Sequence, residues 1–180
     1  MLENVIDPKS YREAVGSQDG KAWLGAIANE IDNLKRRNVA IEVKRPDCSI
    51  RLLGIKYVFK TKFKHGMVDK RNVRIVAKGY RQIKDVDYSE TFVPVARMNT
   101  FRFFLAISVY RGHTRIQIDY VAAFLYAPVV EDIYIETPEG WDVGEGNVLK
   151  LNKALYGLKQ AGRNWYQVLK DFLEKEGLKM

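Results

Sequence analysis

Residues 115–124 place one carboxylate, Asp119, at the end of a short apolar stretch. Ile116 and Ile118 alternate with Gln117 and Asp119, and this period of two predicts a short strand that ends at a small-residue turn. A carboxylate at the end of a buried strand is well placed to hold a metal ion in a cleft, because hard cations prefer oxygen ligands. The alternative is that Asp119 caps a turn or faces solvent, and these residues alone leave both possibilities open.

A basic segment between Lys56 and Lys84 is the second candidate for chemistry. It contains ten Lys or Arg residues against one acidic residue, Asp69, which gives this segment a charge of +9 in a chain of net charge +8. A basic segment in an otherwise near-neutral chain favours a polyanionic partner, most simply nucleic acid or a nucleoside triphosphate. The alternative is a solubilising face, although such faces usually mix both signs of charge.

The same segment has the alternation of a β-hairpin. Apolar and polar residues alternate over residues 55–64 and again over 73–78, on either side of a polar loop that starts at His65 and Gly66. One face is apolar and is expected to pack on a core, and His65 is expected to be a loop residue rather than a ligand. The other face collects Lys60, Lys62, Lys64, Arg74 and Lys78. Cations on one face repel each other unless an anion lies against them, so we expect this face to bind phosphate.

The remaining elements follow from periodicity and capping residues. An amphipathic helix is expected after Ser17 or Asp19, with Lys35, Arg36 and Arg37 closing its last turn. We further expect an irregular, partly extended connection over residues 38–50, turns over 79–94, a core helix capped by Asn99 or Thr100 and stopped at Arg111 and Gly112, strands over 133–135 and 148–151, and a last helix over 160–176 capped by Gly177.

Composition narrows the classes of protein. The 180 residues are 47% hydrophobic and 29% charged, which is ordinary for a globular domain and argues against disorder. The absence of a basic-then-apolar leader and of an apolar run of about 18 residues predicts an intracellular protein. One cysteine excludes an internal disulfide, and Cys48 is expected to be a small filler; two histidines are too few for a histidine metal cluster.

Five motifs occur in order along the chain and carry a resemblance. They are residues 56–60 (KYVFK), 74–82 (RIVAKGYRQ), 86–97 (VDYSETFVPVAR), 118–125 (IDYVAAFL) and 153–161 (KALYGLKQA). Together they resemble the reverse transcriptase domain of Ty1/copia-type retrotransposon Pol polyproteins, from about Trp23 to the C-terminus.

The resemblance implies an α+β fold with the fingers and a partial palm of a right-hand polymerase. The implied segments are a lead-in (1–18), a fingers-like part with the basic hairpin (19–97), a palm part with the metal-binding strand (98–127), connecting strands (128–155) and a palm helix (156–180). The implied activity is RNA-directed DNA polymerisation, which joins deoxynucleoside triphosphates to a primer on an RNA or DNA template by two-metal phosphoryl transfer. The implied location is a cytoplasmic particle or the nucleus.

The resemblance also implies roles for single residues. Asp119 would be the catalytic, metal-binding first aspartate of a site for two Mg²⁺ ions. Phe124 would lie beneath the nucleotide sugar and favour deoxynucleotides. The residues implied to bind triphosphate or template are Lys60, Lys62, Lys64, Arg74, Lys78, Phe124, Gly157, Lys159 and Gln160.

The sequence departs from the family where the other metal ligands are expected. The family supplies them on a Tyr-Val-Asp-Asp hairpin, and no Asp-Asp pair occurs among these 180 residues. We therefore expect a truncated domain that is inactive by itself, with the rest of a Pol polyprotein as a partner and a last helix whose apolar stripe is poorly covered. The alternatives are a non-catalytic nucleic-acid-binding module and an inert retroelement relic.

Overall fold

The computed structural model describes residues 6–47 and 49–178, and these form helices and antiparallel strands. In chain order the elements are α1 (Tyr11–Gly16), α2 (Gly20–Arg36), β1 (Ala40–Lys44), β2 (Ile55–Lys64), β3 (Met67–Ala77), α3 (Met98–Tyr110), β4 (Tyr134–Ile135), β5 (Asn147–Leu151) and α4 (Ala161–Lys175), with 3₁₀ helices at Gly79–Arg81 and Ala123–Tyr126. This mixture confirms the α+β class. The prediction for Cys48, and those for residues 1–5 and 179–180, lie outside the described residues.

Strands β2 and β3 pair as an antiparallel hairpin, with Ile55 opposite Ala77. The turn consists of His65 and Gly66, which have φ values of 50° and 79°. Positive φ at both positions is the conformation that joins twisted strands through a two-residue loop. Strand β3 begins at Met67, well before the first alternating residue recognised in the sequence, so the connecting loop is shorter than expected.

A second sheet has the strand order β1-β5-β4, and both of its pairs are antiparallel. Strands β4 and β5 lie where the sequence predicted strands. Strand β1 corrects the expectation of an irregular connection over residues 38–50. The stretch is short, and the alternation of Ile41 and Val43 with Glu42 and Lys44 covers only four residues. Its strand conformation is completed by pairing with β5, more than 100 residues away along the chain.

Helix α2 packs its apolar stripe against β3 and the core. The buried stripe consists of Trp23, Ile27, Ile31 and Leu34, spaced at three and four residues as predicted. Asp19 is at the N-cap position, although its side chain makes no capping hydrogen bond. Its carboxylate instead pairs with the guanidinium of Arg71 on β3, and this guanidinium also lies 5.2 Å from the Trp23 ring.

Helix α3 has nearly the predicted extent, but it begins at Met98 with Arg97 as N-cap rather than Asn99 or Thr100. The prediction of a core helix is wrong, because Ser108 is the one buried residue in it and Phe103 is 66% exposed. The predicted strand around Asp119 is also absent, since residues 113–120 are irregular in the part of the chain that the structure describes. A strand requires a partner for its backbone groups, and no described strand lies beside this segment.

Helix α4 begins and ends within one residue of the predicted bounds, and Gly177 after it has φ +85°, as a C-terminal cap requires. Its apolar stripe is only partly covered. The Trp165 ring contacts Tyr120 and Tyr126, whereas Phe172 is exposed. The expectation of a poorly covered last helix is therefore confirmed.

Candidate functional site

The cationic face predicted for the hairpin is present, and its register shows which residues share it. Lys62 is directly opposite Lys70, and Arg74 is opposite Val58 on the same exposed face. Lys60 lies between them, opposite Asn72. Lys70 was not predicted for this face, because the alternation in the sequence indicates a second strand only from Val73, whereas β3 starts at Met67.

The other two predicted cations lie at opposite ends of this face. Lys64 is beside the turn. It lies six residues along β2 from Val58, the residue opposite Arg74, and six residues of a strand span about 20 Å. Lys78 follows β3 and is half-buried; its side chain lies over Gly54, where the carboxylate of Glu136 also approaches. The five predicted cations therefore form an extended track rather than one cluster.

Lys60 already has an anionic neighbour. Its ammonium lies 3.3 Å from one carboxylate oxygen of Asp7, and the other oxygen accepts a hydrogen bond of 2.7 Å from the Thr61 amide. Burial opposes ionisation of this carboxyl, but the bonds from Thr61 and the Lys60 ammonium bring the pKa of Asp7 below its usual value. Asp7 thus covers the outer edge of β2 and reduces the charge that Lys60 presents.

Three predicted residues meet around Tyr156, which the sequence analysis did not single out. The Arg74 guanidinium lies 5.0 Å from the Tyr156 ring, and the Phe124 ring lies 5.9 Å from it in an edge-on arrangement. Gly157 follows Tyr156 directly. Burial raises the pKa of the half-buried Tyr156 hydroxyl. The aromatic residue next to Gly157 in the last motif was the signal in the sequence that could have identified this position.

The backbone of Gly157 holds the end of the hairpin against this cluster. The Ala77 amide donates a 2.7 Å hydrogen bond to the Tyr156 carbonyl. A Cβ on Gly157 would overlap the Ala77 carbonyl oxygen and lie 2.7 Å from Val76 Cγ1, and a Cβ on Gly79 would overlap the Gly157 carbonyl oxygen. Glycine at both positions therefore permits the contact that positions Arg74 beside Tyr156.

Gln160 is a buried link, and Lys159 is tied to the same network. Gln82 donates to the Gln160 side-chain oxygen at 3.0 Å, and Gln160 donates to the Asp87 carbonyl at 2.7 Å. The Lys159 ammonium donates to the Tyr88 hydroxyl at 3.0 Å. Gln160 is 1% exposed, so in this conformation it can act on a template only by fixing the residues around it.

Asp119 lies away from any cluster of metal-ligating residues. Its side chain is exposed, and the next residue, Tyr120, packs its ring 5.1 Å from Trp165. The described residues contain no group of three or more His, Cys, Asp or Glu side chains that could hold a metal ion. One exposed carboxylate does not make a site for two Mg²⁺ ions, so the residues present do not fit that cofactor.

None of the helices in the described ranges, 6–47 and 49–178, is long and apolar enough to cross a membrane.

Comparison with known proteins gives the family. A family model described as "Reverse transcriptase (RNA-dependent DNA polymerase)" matches residues 38–180. The Retrovirus-related Pol polyprotein from transposon TNT 1-94 of Nicotiana tabacum is 34% identical over 98% of this chain, and that from transposon RE1 of Arabidopsis thaliana is 35% identical over 90%. The Transposon Ty1-H Gag-Pol polyprotein of Saccharomyces cerevisiae is 32% identical over 57%.

These matches cover a small part of each relative. The chain spans 13% of the Nicotiana protein, 11% of the Arabidopsis protein and 6% of the yeast protein. No solved structure matches the chain. The family match covers most of the chain, and its relatives are Pol polyproteins; the chain belongs to the reverse transcriptase family of Ty1/copia-type retrotransposons.

Proposed function

We propose that this chain supplies the fingers and part of the palm of an RNA-directed DNA polymerase domain. After the lead-in (1–18), the fingers-like part is 19–97, the palm part 98–127, the connecting strands 128–155 and the palm helix 156–180. Its own contribution is to bind phosphate groups of a template-primer and of a deoxynucleoside triphosphate along the hairpin. Asp119 is the proposed first metal ligand of the complete domain. Because Asp119 belongs to no group of three or more metal-ligating side chains in the described part of the chain, binding rather than catalysis is the function proposed for these 180 residues by themselves.

The observation that carries this proposal is the position of Lys62 directly opposite Lys70, with Arg74 on the same face. Like charges directly opposite each other on paired strands destabilise the pair. An anion against the face removes this repulsion, and nucleic acid supplies a regular row of anions. Arg74 suits a phosphate because its forked donors match two oxygens, and its contact with Tyr156 limits the directions that it can take.

Salt-dependent binding tests the proposal. Fluorescence anisotropy with a labelled duplex that has a single-stranded overhang is measured over a range of salt concentrations for the wild-type chain and for Lys62→Ala/Lys70→Ala. Each phosphate contact contributes about 0.9 to the slope of log K against log salt, so the double variant is expected to lose about 2 from the slope and bind more weakly.

The matched control is Lys21→Ala/Lys175→Ala, which removes two exposed lysines from helices outside the hairpin. We expect the control to keep the wild-type slope. Equal slopes for all three proteins, or an equal loss in the control, would show that the hairpin face is not the binding site.

A non-catalytic nucleic-acid-binding module is the second candidate, and it differs from the first in giving Asp119 no metal ion to hold even in a longer polypeptide. It is favoured because Asp119 belongs to no group of three or more metal-ligating side chains among the described residues. It predicts binding without primer extension in the presence of Mg²⁺, and an Asp119→Ala variant that binds as the wild type does. Primer extension that is lost in Asp119→Ala would instead show that the chain catalyses polymerisation and would contradict this candidate.

A further inference from the structure

Tyr80 presents an aromatic ring to solvent immediately after the hairpin. The side chain is 73% exposed, and it lies in the 3₁₀ helix at Gly79–Arg81. No ring contact or cation–π contact involves it within the described residues. Single exposed apolar residues are common on protein surfaces, so exposure alone assigns no role.

The backbone that carries Tyr80 is held on both sides. Gly79 is buried against the Gly157 carbonyl, and the Lys78 amide donates a 2.8 Å hydrogen bond to the Gly54 carbonyl. On the other side, the Arg51 guanidinium donates to the Arg81 carbonyl at 2.8 Å, and the next side chain, Gln82, is buried in the network with Gln160. The exposed ring is thus presented by an anchored turn, which lowers the entropy cost of a contact made through it.

Two cations follow this ring closely in the chain, next to an exposed acidic residue, Asp85. Arg81 and Lys84 are exposed, and neither takes part in an ion pair among the described residues. The nearby carboxylate of Asp87 is already occupied by the Arg51 guanidinium and by the Ile83 amide. An exposed aromatic ring with unpaired cations close by in the chain is the combination that suits single-stranded nucleic acid, since bases stack on the ring and phosphates meet the cations.

Other exposed aromatic residues also have cations beside them, since Phe63 stands between Lys62 and Lys64 and Tyr110 precedes Arg111. Of these three rings, only that of Tyr80 directly follows a buried residue, Gly79. Phe103 and Tyr110 belong to α3, where the exposed neighbours include Phe104 and Val109. Such a face is suited to another apolar surface rather than to a charged strand.

We propose that Tyr80 is a stacking platform for one unpaired base of a single-stranded nucleic acid, with Arg81 and Lys84 contacting the flanking phosphates. The inference rests on the proposed function only in taking nucleic acid as the ligand. It adds that the chain distinguishes an unpaired strand from a duplex by a ring outside the hairpin.

Two labelled probes separate stacking from charge: a single-stranded oligo-dT and a strand of equal length in which every base is replaced by an abasic sugar. Anisotropy titrations compare the wild-type chain with Tyr80→Ala, Tyr80→Trp and the exposed-tyrosine control Tyr110→Ala. We expect Tyr80→Ala to bind oligo-dT about 5- to 100-fold more weakly, with an unchanged salt slope. Tyr80→Trp and Tyr110→Ala are expected to keep the wild-type affinity, and Tyr80→Ala is expected to bind the abasic strand as the wild type does.

The inference is overturned if Tyr80→Ala binds both probes as the wild type does, if it weakens both equally, or if Tyr110→Ala has the same effect. The variant Lys62→Ala/Lys70→Ala, titrated in parallel, separates this result from the fate of the proposed function. If that variant loses affinity and Tyr80→Ala does not, the hairpin remains the binding site and only the stacking platform is wrong. If the hairpin variant keeps its affinity and Tyr80→Ala alone weakens oligo-dT, the hairpin proposal fails and the stacking platform stands.

Discussion

Two regions of the molecule both contain large apolar side chains, but these are buried in one region and exposed in the other. In the packed region, which comprises α2, the five strands and residues 153–161, Ile75 and Leu149 are fully buried. In the open region, which comprises residues 91–122 and includes α3, Phe103 and Ile116 are 66% and 83% exposed. The difference arises because an apolar face is buried only where another element packs against it. An apolar pattern in the sequence does not show whether such an element is present.

The two halves of the proposed chemistry divide along the same line. The hairpin cations and the Arg74–Tyr156 contact belong to the packed region, where strand pairing and close glycine packing fix them. Asp119 belongs to the open region, where no described strand pairs with its segment. A phosphate-binding face can be built from local pairing, whereas a carboxylate site for two metal ions needs several segments brought together.

Gly157→Ala should have the largest effect and should act on the packed region. The new Cβ would overlap the Ala77 carbonyl oxygen, and φ of +88° disfavours any residue with a side chain. Relief requires breaking the Ala77–Tyr156 hydrogen bond that joins the hairpin to residues 156–160. We expect a loss of about 4 kcal/mol or more in the free energy of unfolding, measured by urea denaturation followed by circular dichroism.

Gly112→Ala is the matched control in the open region. Gly112 also has a positive φ, +64°, but nothing lies within 4 Å of the Cβ position. Gly112→Ala should therefore lower the free energy of unfolding by only about 1 kcal/mol, because only the left-handed backbone conformation opposes the new side chain. Equal losses for the two variants would show that the Gly157 contact does not hold the packed region together.

Leu149→Ala and Phe104→Ala compare the loss of a large apolar side chain in the packed region with the same loss in the open region. Leu149 is 0% exposed at the centre of the three-stranded sheet, so its truncation leaves a cavity and should cost about 2–5 kcal/mol. Phe104 is mostly exposed, and its truncation should change the free energy of unfolding by less than about 0.5 kcal/mol. Urea midpoints measure both, and a Phe104→Ala cost near that of Leu149→Ala would show that α3 is covered in solution.

The sequence predicted the elements whose determinants are local. Alternation identified the hairpin, a stripe at three and four residues identified α2, and Gly177 marked the end of α4. Each of these signals depends on neighbours within about one turn or one strand. For the same reason the helix over Met98–Tyr110 was predicted while its burial was not.

Long-range contacts account for what the sequence did not reveal. Strand β1 exists through its pairing with β5, and the Arg74–Tyr156 contact joins residues more than 80 positions apart. The segment around Asp119 has the alternation of a strand, but a strand also needs a paired neighbour, which alternation does not supply. The residues of the candidate site could therefore be predicted from the sequence, but the contacts between them could not.

Glu30→Gln should give a small effect of the opposite sign, a gain in stability, because Glu30 is an unfavourable group within the packed region. One of its carboxylate oxygens is buried on α2 without a hydrogen-bond partner in the described part of the chain. Burial raises the pKa of Glu30 above its usual 4.5, although the Ile75 amide, Asn33, Arg74 and Arg37 favour the ionised form. The folded protein therefore binds this proton more tightly than the unfolded chain does.

The sign of the pH dependence follows from that difference. As pH rises from 4.5 through the raised pKa, the folded state holds more protons than the unfolded state, so the free energy of unfolding falls and then stays lower. Glutamine cannot ionise, so Glu30→Gln should be more stable than the wild type at pH 7.5, by about 1 kcal/mol at most, and should match it more closely at pH 4.5. Urea midpoints at both pH values measure the difference, and other carboxyls cancel because both proteins share them. A variant that is less stable than the wild type at pH 7.5 would show that the attraction of Arg74 and Arg37 for the Glu30 carboxylate outweighs its burial, and that Glu30 is not an unfavourable group.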